Sequence, residues 1–154
     1  VKKLPTKKKK INLLTIGFTQ KTAQDFFELL TKNKVKKVID VRLNNVSQLA
    51  GFTKKQDFPY FLEKIAQIEY LHELDLAPTQ SILTEYKKNK GDWSIYEQKF
   101  LQLMKERRIE TKLSPELLDN TCLLCSEAKP HHCHRRLVVE YLQHHWGNIN
   151  LVHL

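Results

Sequence analysis

One run of the chain concentrates reactive side chains. Thr121–Arg136 reads TCLLCSEAKPHHCHRR and holds all three cysteines and three of the seven histidines. A thiol beside cationic groups ionises readily, and its thiolate serves as a nucleophile or a metal ligand. An imidazole or a carboxylate in a cleft moves protons, and a guanidinium holds carboxylates and phosphates through paired N–H groups. On these grounds Cys125, Cys133, Glu127 and His134 are the candidate reacting groups, and Arg135 is a candidate anion holder. Helical spacing places His134 one turn before Leu137 and Val138, so it faces inward, with His131 and Arg135 on the adjacent face and His132 and Arg136 more exposed.

Two familiar chemistries can be weighed against this run. Cys122 and Cys125 have the CxxC spacing of zinc sites. They fall on an apolar stretch that reads as a strand, where residues three apart point to opposite faces, so both cannot grip one ion. Cys125, Cys133 and a histidine remain open as a set, and no metal ligand is assigned. The Cys-x5-Arg phosphate loop of tyrosine phosphatases and rhodaneses needs an arginine where His131 stands, and the same count from Cys133 reaches Val139. That loop is absent, despite the rhodanese-like Ile39-Asp40-Val41-Arg42. The competing reading of Cys125 is a buried, inert thiol.

The elements that must position these residues follow from periodicity and punctuation. Ile11–Ile16 is a strand stopped by Gly17, and Thr22 can cap a helix that buries Phe26, Phe27, Leu29 and Leu30. Val35–Val41 is a second strand ending in Asp40-Val41-Arg42. Leu43–Lys55 reads as a loop, and Asp57 as the cap of a helix with Pro59 in its first turn. Glu69–His72 is a third strand, with His72 read as structural. Helices follow around Ile82–Tyr86, from about Ser94 to Ile109, and from Ser114-Pro115. Thr121–Cys125 is the fourth strand, Pro130–His145 the next helix, and Asn148–Val152 the last strand. Alternating strands and helices predict an α/β fold: a mainly parallel sheet of about five strands with helices on both faces, Rossmann-like in three layers.

In such sheets ligands bind beyond the carboxyl ends of the strands. Gly17 and Thr19 follow the first strand, Asp40 and Arg42 end the second, and Cys125 and Glu127 end the fourth. All should meet on one edge. There Arg42, Arg135, Gly17 and Thr19 are the candidate anion-binding residues, and Asp40 joins the catalytic candidates.

Composition sets bounds. At 154 residues with 41% hydrophobic side chains, the chain suits one α/β domain over residues 11–154. Lysines 2, 3, 7, 8, 9 and 10 supply most of the net charge of +9. They form a basic arm over residues 1–10 that would favour nucleic acid through counterion release or simply solvate the terminus. No apolar run approaches a membrane span. An odd number of cysteines suggests reduced thiols and a cytoplasmic setting.

Thr15-Ile16-Gly17, Asp40-Val41-Arg42 and Leu124-Cys125-Ser126-Glu127, followed by Pro130 and Cys133-His134-Arg135, resemble in order the signatures of the family catalogued as domain of unknown function 488. The resemblance runs from about Leu13 to the C-terminus. It implies an α/β fold with a residue cluster at the strand ends, and brings no established activity or cofactor. Three functions fit the residues: an enzyme acting on a phosphate-bearing or nucleobase substrate; a nucleotide or nucleic-acid binding module without chemistry; and a metal-stabilised interaction domain. Tyr60, Tyr86, Trp93 and Tyr96 are the aromatics available for base stacking, with core packing as the simpler explanation for most of them.

Overall fold

The computed structural model describes residues 9–46 and 51–154. Most of the basic arm and the middle of the Leu43–Lys55 loop lie outside the described residues. Five strands form one sheet: β1 (Ile11–Gly17), β2 (Lys37–Asp40), β3 (Glu69–His72), β4 (Thr121–Cys125) and β5 (Ile149–His153). All pairings are parallel, in the order β3-β2-β4-β1-β5. The helices are α1 (Ala23–Lys32), α2 (Phe58–Ala66), α3 (Gln80–Lys88), α4 (Trp93–Arg107), α5 (Ile109–Lys112), α6 (Pro115–Leu118) and α7 (His134–Trp146).

Side-chain alternation divides the core into two layers. Leu13, Ile39, Leu123 and Cys125 point to one face, against Phe100, Met104, Leu137 and Val138 of α4 and α7. Leu14, Ile16, Cys122 and Leu124 point to the other, against Phe26, Phe27, Phe58 and Leu62 of α1 and α2. Every residue of β4 is buried, as expected of a central parallel strand covered on both sides.

The connections create a crevice. From β2 the chain passes through α2 to β3 on one face; from β4 it passes through α7 to β5 on the other face and in the opposite direction. Neighbouring strands whose connections diverge in this way leave a gap beyond their carboxyl ends. Gly17, Asp40 and Cys125 end the three adjacent strands β1, β2 and β4, so the expected shared edge is present.

Some local expectations change. Thr22 caps α1, accepting a hydrogen bond from the Asp25 N–H at 3.1 Å. Asp57 precedes α2 in a helical conformation, and its side chain makes no capping bond. Helix α4 starts at Trp93, with Asp92 accepting from the Ser94 N–H at 3.0 Å, and ends at Arg107 because Arg108 turns left-handed. Helix α7 starts four residues later than expected. Pro130 to His132 form a turn closed by the Cys133 N–H on the Pro130 carbonyl at 3.2 Å. Cys133 is then the extended residue just before the helix. His131 therefore lies outside α7 and shares no helical face with Arg135.

Candidate functional site

The loop leaving β4 is tied down through its backbone. The Ser126 carbonyl accepts from the Thr19 N–H at 3.1 Å and the Thr19 hydroxyl at 2.8 Å. The Glu127 carbonyl accepts from Arg135 Nη1 at 2.6 Å. That carbonyl sits so close to Gly17 that a Cβ there would lie 1.6 Å from the oxygen. Gly17, Thr19 and Arg135 thus fix the backbone of Ser126 and Glu127. The Glu127 side chain stays exposed, with no hydrogen bond or ion pair among the described residues. Arg135 is fully buried, and its Nε and Nη2 have no hydrogen-bond partner among the described residues.

Beneath this loop three soft donors converge. Cys125 ends β4, Cys133 precedes α7 and His134 opens it; all are buried, and one donor atom from each lies within 4.8 Å of the others. The extended backbone at Cys133 allows this, since it frees the side chain from the helical surface. The Cys125 thiol is held below its usual range, first by a hydrogen bond from Cys133, then by the Ser126 N–H and the Arg135 charge, against the opposing effect of burial. Cys133 is pushed well up by burial and by the neighbouring Cys125. Of the pair, Cys125 is thus the sulfur that ionises more readily. Cys122, pointing to the other face, is pushed up by burial and stays a thiol.

His134 bridges α7 to the end of β2. Its Nε2 lies 2.7 Å from the Val41 carbonyl, so Nε2 carries the proton and Nδ1 is unprotonated in the neutral ring. Cys125 Sγ is 3.7 Å from Nδ1 and 3.9 Å from Nε2. Nearly equal distances place the sulfur beside the ring, off the lone-pair axis of either nitrogen, and a turn of the ring is needed before the two can share a proton.

The residues ending β2 serve the frame. Asp40 is fully buried and accepts from Arg42 Nε at 2.9 Å, Arg42 Nη2 at 2.7 Å and the Tyr70 hydroxyl at 2.6 Å. Arg42 also donates to the Thr53 carbonyl at 2.7 Å and lies 4.9 Å over the Phe18 ring. His72 Nε2 donates to the Arg42 carbonyl at 2.7 Å, while Asn45 donates to its Nδ1 at 3.2 Å. With both carboxylate oxygens engaged, Asp40 fixes Arg42. Nη1 is the guanidinium nitrogen least committed, with one long contact of 3.4 Å to Thr53.

The crevice above the cluster has a volume of about 240 Å³. Arg42, Cys125, Ser126, Glu127, Cys133 and His134 form its polar side; Pro78, Leu83, Tyr86, Trp93 and Tyr96 form its apolar side, with His132 at the mouth. Trp93 stacks on Tyr96 at 4.8 Å and on His132 at 5.1 Å. Five of the nine candidate residues thus meet at one cleft. Gly17, Thr19 and Arg135 brace its loop, and Asp40 braces its arginine. Tyr60, 60% exposed on α2, lies away from it. A larger hollow of about 760 Å³ between α1 and α2 is lined mainly by Phe27, Phe52, Phe61 and Ile65 and carries none of these reactive groups. Three of the four aromatics available for base stacking, Tyr86, Trp93 and Tyr96, thus line the cleft. Tyr86, Trp93 and Tyr96 have helical core spacing, and their only sequence signal is the density of aromatics around Gly91.

The sequence profile of the family described as Domain of unknown function DUF488 matches residues 22–142, most of the chain and nearly all of this edge. The chain belongs to that family. No curated protein and no solved structure matches it. Within this DUF488 chain, the family stretch contains Asp40, Arg42 and the whole Cys125–Arg135 cluster, while Gly17 and Thr19 precede it.

Proposed function

We propose that this chain is an enzyme acting on a small planar molecule, of the nucleobase or nucleotide class, in the cleft between the ends of β2 and β4. The observation that carries this reading is the Cys125–Cys133–His134 cluster on the floor of an aromatic-walled crevice. A lowered thiol beside an imidazole is the makings of a reactive centre. Its wall of Pro78, Leu83, Tyr86, Trp93 and Tyr96 gives the cleft an apolar side against which a flat ring can pack. The volume of about 240 Å³ suits one ring system; sites for drug-sized ligands run to roughly 300–1,000 Å³. Glu127, unpaired among the described residues and exposed at the mouth, carries protons, and Arg42 Nη1 reaches an anionic or carbonyl substituent.

The test is protection and turnover. A panel of nucleobases, nucleosides and nucleotides is screened for quenching of Trp93 emission (Trp146→Phe background), for shielding of Cys125 from iodoacetamide, and for conversion by chromatography. The reading expects at least one class to quench, shield and turn over, with Glu127→Gln abolishing turnover while far-ultraviolet circular dichroism is unchanged. It fails if no class shields the thiol, or if Glu127→Gln converts substrate as fast as the parent chain.

A further inference from the structure

We infer that Cys125, Cys133 and His134 bind a divalent zinc-type cation and leave its fourth position open to the cleft. The inference rests on the reading of that cleft as an active site, and it gives the Cys125 sulfur its role there: it is a ligand, and the reacting group is what the ion holds.

Four observations support it. The donors are two thiols and an imidazole, the soft and borderline set that selects zinc over magnesium or calcium. Their atoms already lie within 4.8 Å of one another. Ligands about 2.0–2.3 Å from a tetrahedral ion sit roughly 3.5–4 Å apart, so a contraction of an ångström or less completes the geometry. The 3.7 Å between Cys125 Sγ and His134 Nδ1 is inside that range. Third, both sulfurs are buried, and a dication held there by two thiolates is cancelled by them, so no net charge is left in the core. Fourth, all three donors line the cleft together with Glu127. Three protein ligands with one position facing a pocket is the pattern of catalytic zinc; structural zinc has four protein ligands.

His134 must move for this. Its ring turns about Cβ–Cγ so that a nitrogen lone pair, rather than the ring edge, faces Cys125. The turn exchanges the 2.7 Å bond to Val41 for the bond to the ion. Cys122 takes no part, since it faces the opposite core layer.

The test uses the whole reduced chain, stripped with a chelator and titrated with cobalt(II), then zinc(II). One equivalent of cobalt should bring thiolate charge-transfer bands in the near ultraviolet and intense visible bands of a four-coordinate ion. Zinc should bleach both. X-ray absorption of the zinc form should show two sulfur neighbours and two lighter ones. Cys125→Ser and Cys133→Ser should each weaken binding at least 100-fold, and His134→Asn at least 10-fold. Cys122→Ala should leave the bands unchanged. Should a serine variant fail to fold, the parent chain alone decides: zinc with only nitrogen and oxygen neighbours, or no cobalt bands, overturns the inference. These spectra need no substrate, so failure here is separate from failure of the nucleobase panel. A loaded site without any planar ligand sinks only the proposed substrate, and ligand binding by a chain that holds no metal sinks only the ion.

Discussion

At the scale of single residues, Gly17 and Asp40 show how candidates from sequence become parts of a frame. Gly17 stands out in the sequence as a strand stop, and the structure assigns it a different reason: the Glu127 carbonyl occupies the place of a side chain. That oxygen belongs to backbone held by Arg135, so it cannot swing aside as a flexible side chain would. Gly17→Ala should therefore destabilise by about 1–3 kcal/mol, the range for forced overpacking, read as a lower urea midpoint, and should slow alkylation of Cys125 by displacing its loop. An unchanged midpoint would mean that the loop yields freely. Asp40 makes the sharper case. Removing one member of a buried ion pair leaves a charge uncompensated and costs about 3–5 kcal/mol. Asp40→Ala strands Arg42 in this way, whereas Tyr70→Phe removes a single hydrogen bond to a charged group, about 1.5–3 kcal/mol. The Tyr70 phenol is raised first by burial and then by that Asp40 bond, so its hydroxyl stays protonated to donate. Chemical denaturation of both variants should rank Asp40→Ala as the more damaging, and the reverse order would contradict the pairing. The residue types at the β2 end are visible in the sequence. Their engagement with one another is not, because Tyr70 and Thr53 approach Asp40 and Arg42 only through tertiary packing.

At the scale of elements, strands are more legible than helix starts. β3 and β4 stand where alternation and apolar runs place them, since a strand's limits are set by which residues can be buried. A helix start depends on one side chain meeting one backbone N–H, and several neighbours can compete for that role. Thr22 and Asp57 are both good capping residues by type; only Thr22 is extended and bonded. Thr22→Ala should cost about 1 kcal/mol, and Asp57→Ala should leave the thermal midpoint where it is. Equal losses would show that residue type, not geometry, decides the cap. The same competition moved the start of α7. Pro130 suits a first helical position, yet here it closes a turn, and the helix waits until His134. The shift matters for function, because it places Cys133 outside the helix and within reach of Cys125.

At the scale of the whole molecule, the alternation of strands and helices makes a parallel sheet foreseeable, but strand order is a global property. Nothing local to β4 says that it inserts between β1 and β2, or that β5 pairs on the far side of β1. That order brings the site's frame into contact with the end of the chain, and it leaves a trace in the pH dependence of stability. His153 on β5 shares a hydrogen bond of 2.5 Å with the Thr15 hydroxyl of β1. Its pKa is lowered from 6.5, first by burial and then by the Arg135 charge, with Arg136 adding and Glu140 opposing. A histidine lowered on folding binds its proton more readily in the unfolded chain. Above about pH 6.5 it is neutral in both states and its environment carries no penalty. As pH falls through 6.5 the unfolded chain takes up the proton first, so stability declines until the folded pKa is passed, then levels off. The slope is opposite to that of a histidine held by a carboxylate. Urea midpoints measured in chelator from pH 8 to pH 5 should fall towards the acid end, and His153→Gln should flatten that part of the curve. The carboxylates of Asp92 and Glu110, both held low, contribute their own losses only in more acidic solution. An Arg135→Met substitution removes the second cause while burial remains, so its slope between pH 7 and pH 5 should be shallower than that of the parent. If His153→Gln and Arg135→Met both keep the full parental slope, the coupling between β5 and the frame of the site is absent.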